Sequence, residues 1–118
     1  MKNLFSFLSL AVFCFLSTAT YSQTTFTGAV SQDWANAGNW SNGLPAPGNN
    51  ATIPAGMIVF NIGTIIDNFG TIENYGTIYN SGTIYNNGYI DNWDEGRINN
   101  NGLIDNNGLI DNNGPIFN

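Results

Sequence analysis

From residue 63 onward the chain repeats one short pattern of apolar and polar positions. Glycines open nine units, at Gly63, Gly70, Gly76, Gly82, Gly88, Gly96, Gly102, Gly108 and Gly114. Two positions after each glycine stands an isoleucine: Ile65, Ile72, Ile78, Ile84, Ile90, Ile98, Ile104, Ile110 and Ile116. Two positions further on, asparagine follows in nearly every unit, at Asn74, Asn80, Asn86, Asn92, Asn100, Asn106, Asn112 and Asn118. The first unit carries an extra residue around Ile66, which shifts its asparagine to Asn68, and the fifth gains Asp94 and Glu95. Residues two apart on a strand share a face. Glycine and isoleucine therefore point one way, and the residues flanking isoleucine point the other. Asparagine tolerates left-handed backbone and bonds locally, which predicts that it and the sixth residue make a corner. Each unit reads as a short strand plus a bend, with the nine isoleucines as the core.

Two architectures use such a unit. The Asn-Gly and Ser-Gly pairs suit hairpin turns, which would give an antiparallel meander. There, each isoleucine would sit opposite the residue that follows isoleucine in the next strand. Cross-strand partners share a face, so isoleucines would alternate between the two faces of one sheet and neither face would bury well. A parallel solenoid turns every isoleucine inward. The expected fold is thus all-β, a parallel β-solenoid of six-residue repeats with an N-terminal capping segment. The repeat resembles the left-handed hexapeptide β-helix, whose pattern places an aliphatic residue two positions after a small one. That resemblance implies a left-handed, three-sided solenoid in which nine units make three coils, spaced at about 4.8 Å. The asparagine-rich corner departs from the family pattern.

The segments before the repeat have a different character. Lys2, the apolar run from Leu4 to Leu16 and the small residues Ser17-Thr18-Ala19 have the layout of a secretory leader. Residues 1–22 are expected to be removed after Ala19 or Ser22, and Cys14 with them. Residues 23–62 hold Trp34, Trp40, Pro45, Pro47 and Pro54 among small polar residues. The pattern from Trp34 through Asn39-Trp40-Ser41, Gly43 and Pro45 to Ile53-Pro54 and Gly56 resembles a stretch that follows the leader in large bacterial surface and autotransporter-like β-helix proteins. In that family it caps the first coil, which implies the same role for residues 23–62 and an adhesin-like setting for the repeats at 63–118. The tryptophans would lie over the open end of the isoleucine core; the alternative is a sugar-stacking platform. The last unit stops mid-repeat at Asn118, so the chain is either part of a longer protein or leaves a coil open to end-to-end association.

Charge and residue types narrow the functions. After leader removal Arg97 is the sole basic residue against eight acids, a net charge of −7. That excludes a phosphate-backbone partner and disfavours an anionic membrane. With no histidine, Ser-His and Cys-His nucleophiles and histidine metal sites are excluded, and no enzyme is expected. The mature chain also lacks cysteine, so packing must hold it together without disulfides. Stacking units three apart aligns Glu73, Asp91 and Asp111, weak candidate ligands for calcium against the reading of a solvated acidic face; no other cofactor is expected. Asp105 falls beside Tyr85. The same stacking brings Tyr75 to Trp93, with Tyr79 and Tyr85 nearby, a candidate glycan-binding face. Thr71, Thr77 and Thr83 fall on different sides and form no ice-binding ladder. The function expected from the sequence is a secreted or cell-surface structural or adhesive module, the alternative being an extracellular carbohydrate-binding module.

Overall fold

The computed structural model describes residues 22–118, and the expected leader, apart from Ser22, lies outside the described residues. The chain forms a strand β1 (Gln23–Thr25), then a looped segment with one short 3₁₀ turn at Ala37–Asn39. Four-residue strands follow in near-regular succession: β2 (Asn50–Ile53), β3 (Ile58–Asn61), β4 (Ile65–Asn68), β5 (Thr71–Asn74), β6 (Thr77–Asn80) and β7 (Thr83–Asn86). Then come β8 (Tyr89–Asn92), β9 (Arg97–Asn100), β10 (Leu103–Asn106), β11 (Leu109–Asn112) and the shorter β12 (Ile116–Phe117). Successive strands join successive sheets, in the orders β1-β2-β5-β8-β11, β3-β6-β9-β12 and β4-β7-β10. Every strand pairing is parallel and in register, isoleucine on isoleucine and asparagine on asparagine through the repeats. The result is a three-sided parallel β-solenoid of about three turns.

Inside each strand the second and fourth residues point inward and the first and third outward. Ile72, Ile78, Ile84, Ile90 and Ile98 are buried, and Asn74, Asn80, Asn86 and Asn92 have no exposed surface at all. The asparagines therefore do not make left-handed corners. No non-glycine residue described has positive φ, and each asparagine ends a strand on the isoleucine side. Its amide joins a ladder running along the solenoid. Asn61 Nδ2 donates to Asn80 Oδ1 at 2.7 Å, and Asn80 Nδ2 to Asn100 Oδ1 at 2.8 Å. The same holds from Asn68 through Asn86 to Asn106 and from Asn74 through Asn92 to Asn112. Most of these amides also bond the carbonyl that opens a strand in the next coil, as Asn86 Nδ2 does to Leu109 O at 3.1 Å. Burying an amide costs free energy unless it is bonded; here both the donor and acceptor sides are used.

The corners explain the glycines. A Cβ at Gly82 would overlap the carbonyl oxygen of Thr64 in the preceding coil, and one at Gly102 would overlap that of Gly82. Close approach between coils, not left-handed φ, demands glycine there.

Three further sequence expectations need correction. Ile65 is 66% exposed, whereas Ile66 is 4% exposed and pairs with Ile84. The extra residue of the first unit lies before the strand, and a one-residue shift in an alternating strand exchanges the two faces. Ile104, Ile110 and Ile116 are only partly buried against the core, because no described strand pairs on the far side of β10, β11 or β12. Finally, the solenoid starts before Gly63: β2 and β3 already pair in register with β5 and β6.

What covers the first coil is residues 22–49. Phe26, Trp34 and Trp40 are buried and continue the core past Ile53, Val59 and Ile66. Their rings meet edge to face, with centroids 5.1 Å apart for Phe26–Trp40 and 4.7 Å for Trp34–Trp40. Trp40 Nε1 donates to Trp34 O at 2.9 Å, which satisfies the indole. Buried Asn39 ties the loop: its Oδ1 accepts from Val30 N and Ser31 N, and its Nδ2 donates to Ser31 Oγ and Asp33 O. These tryptophans are packing groups, not a sugar-stacking surface.

Candidate functional site

Since the inward positions are committed to the stack, any recognition must use the outward columns and the corners. In the first sheet the outward third positions run Thr52, Glu73, Asp91 and Asp111 in direct register. The acidic column expected from the repeat therefore forms. Thr52 Oγ1 donates to Glu73 Oε2 at 3.0 Å, and Gln23 Nε2 donates to Thr52 Oγ1 at 3.0 Å. Asp91 sits between two other carboxylates. Loss of solvent contact raises its pKa above the usual carboxylate value, and the charges of Asp111 and Glu73 raise it further. Among the described residues no three acidic groups come together closely enough to hold a metal ion. An in-register parallel column keeps its side chains side by side at the strand spacing of about 4.8 Å, and does not converge them on a point.

At the corner where the first sheet turns into the second, Tyr75 and Trp93 stack with ring centroids 5.3 Å apart and planes 11° from parallel. Trp93 is exposed. The Tyr75 phenol is held above the usual tyrosine value by desolvation and by the negative charges of Glu73 and Asp91, partly offset by a hydrogen bond with Trp93. Aromatic stack and acidic column are thus neighbours on one surface.

The other expected aromatic residues do not join them. Tyr79 lies on the second sheet and stacks on Phe60, with centroids 5.0 Å apart. Tyr85 lies on the third sheet between Asp67 and Asp105. Phe60 was missed because it precedes the recognisable repeat; the alternation Ile58-Val59-Phe60-Asn61 was its available signal. Beyond Tyr79 the column continues with Asn99, whose buried Nδ2 has no hydrogen-bond partner among the described residues, and Phe117, over which Arg97 sits at 5.0 Å.

A cleft of about 350 Å³ opens on the third side of the solenoid, at the capped end. There β4 is an edge strand, and the loop Leu44-Pro45-Ala46-Pro47 stands across from it. Ala51, Ile66 and Ile72 contribute apolar lining, and Asn68 stands at its polar end. Pro45 and Pro47 have no backbone N–H, so this loop shields the β4 edge without pairing to it. No helix among the described residues is long and apolar enough to cross a membrane. No family model, curated protein or solved structure matches this chain.

Proposed function

We propose that the chain is an exported, non-catalytic structural or adhesive module of a cell surface. The observation that carries this reading is the use of the inward positions: each is spent on coil-to-coil packing or on an amide ladder, giving a rod with three unlike faces. The leader-like N-terminus, the acidic charge and the absence of histidine support it. Labelling intact cells that produce the full chain with an antibody against the mature protein tests the location. Staining of unbroken cells is expected; staining only after lysis would overturn the reading.

A second reading, extracellular carbohydrate binding, rests on the exposed Tyr75–Trp93 stack beside Glu73 and Asp91. Stacked rings offer a sugar an apolar face and neighbouring carboxylates accept its hydroxyls. A glycan array probed with the mature protein and with Trp93→Ala separates the two readings. Saturable binding lost in the variant would favour the second.

A further inference from the structure

We propose that Asn101 is a deamidation site set by the fold, and that it reacts ahead of the other Asn-Gly pairs of the described chain. Those pairs are Asn42-Gly43, Asn87-Gly88, Asn101-Gly102, Asn107-Gly108 and Asn113-Gly114. In each, the glycine backbone nitrogen can attack the asparagine Cγ, since glycine offers no Cβ to hinder the approach. A C–N bond forms, ammonia leaves, and a five-membered succinimide results. Water then opens either carbonyl of the ring and leaves aspartate or isoaspartate. The attack needs a glycine nitrogen that is not already donating, and a free asparagine side chain.

The solenoid meets these conditions unequally. Gly88 N donates to Asn68 O at 3.0 Å, Gly108 N to Asn86 O at 2.9 Å and Gly114 N to Asn92 O at 3.2 Å. At Asn42 the side chain is held, with Nδ2 donating to Gln23 O at 2.8 Å, and Gly43 N reaches Trp40 O at 3.4 Å. At the corner between β9 and β10 only the Asn101 backbone N–H is used, donating to Asn80 O at 2.8 Å. Among the described residues Gly102 N has no acceptor and the Asn101 amide has no partner, and both residues are exposed. The second-to-third corner turns so that the coil contact is made by one N–H instead of two. Gly88, Gly108 and Gly114 must break a coil-to-coil bond before they react, and Gly43 a turn bond to Trp40 O; such local opening limits the rate. Reaction at Asn101 adds a negative charge to the corner, and isoaspartate lengthens the backbone by one carbon where β10 is launched.

Peptide mapping by mass spectrometry, after incubation of the mature protein at mildly alkaline pH, reads the rate at every pair. In the folded protein Asn101 is expected to convert at least about tenfold faster than Asn87, Asn107 or Asn113, reflecting their protection by opening equilibria. In denaturant the five rates should approach one another. Asn101→Gln, an outward change that keeps an amide, should remove the dominant acidic product while leaving the circular dichroism spectrum unchanged. Conversion spread evenly in the folded protein, or the same Asn101 preference in denaturant, would overturn the assignment.

Discussion

Replacing Asn80 by alanine tests whether the asparagines are core groups or corner groups. Asn80 is fully buried; its Oδ1 accepts from Asn61 Nδ2 at 2.7 Å, and its Nδ2 donates to Asn100 Oδ1 at 2.8 Å and to Leu103 O at 3.1 Å. Alanine removes all three bonds. A typical bond contributes about 1 kcal/mol net, and a buried group left unsatisfied costs about 1–3 kcal/mol. Asn61 Nδ2 keeps its contact with Thr83 O at 3.4 Å, and Asn100 is partly reachable by water. The expected loss is therefore about 3–5 kcal/mol, a large share of the stability of a small domain. Asn99→Ala is the control, one strand away on the outward face, where the buried Nδ2 has no partner among the described residues; the change breaks no hydrogen bond and should not lower stability. Asn80→Asp should be worse than alanine at neutral pH. It keeps the acceptor side but aims a carboxylate at Asn100 Oδ1 and Leu103 O. Burial raises that carboxyl's pKa above its unfolded value, so the penalty appears as pH rises through the carboxylate range and fades as pH falls below it. Urea unfolding followed by circular dichroism, each variant against wild type at the same pH, measures all three. Equal stability of Asn80→Ala and Asn99→Ala would refute the ladder as a source of stability.

Ile66→Asp should prevent folding, because it places an unpaired charge in the core, whereas Ile65→Asp beside it should leave a folded protein; equal outcomes by circular dichroism would refute the register of β4. Asp91 has a pKa raised in the fold, so its ionised form is disfavoured there. Asp91→Asn should raise the melting temperature at neutral pH, and that gain should shrink as pH falls through the carboxylate range; a gain that grows with acidity would contradict the stacked column. Among the described residues β10, β11 and β12 have no strand on their far side, and an isolated chain with such edges offers pairing templates. Salt screens charge repulsion beyond about 10 Å at 0.1 M, so sedimentation velocity should show an isolated chain of residues 22–118 moving from monomer toward end-to-end oligomers as salt rises. A strictly monomeric species throughout would count against that association.

Much of the architecture was legible in the sequence because a six-residue period confines each strand to one geometry. Nine isoleucines at one phase cannot all be buried in a meander, so parallel coiling followed from the alternation rule alone. The pairing of Tyr75 with Trp93, and of Glu73 with Asp91 and Asp111, rested on the resemblance to a three-sided hexapeptide β-helix, in which units three apart stack. What the sequence left undecided was where each unit is cut into strand and corner. Asparagine has two physical uses, as a left-handed corner and as a buried amide, and only the coil above and the coil below supply the donors and acceptors that choose the second. The extra residue of the first unit fits before or within its strand. Packing beneath the tryptophans decided that Ile66 turns inward and Ile65 outward. The hydrogen-bonded state of each glycine nitrogen depends on how a corner meets the previous coil, so five identical Asn-Gly pairs became unequal only once the chain had wound upon itself.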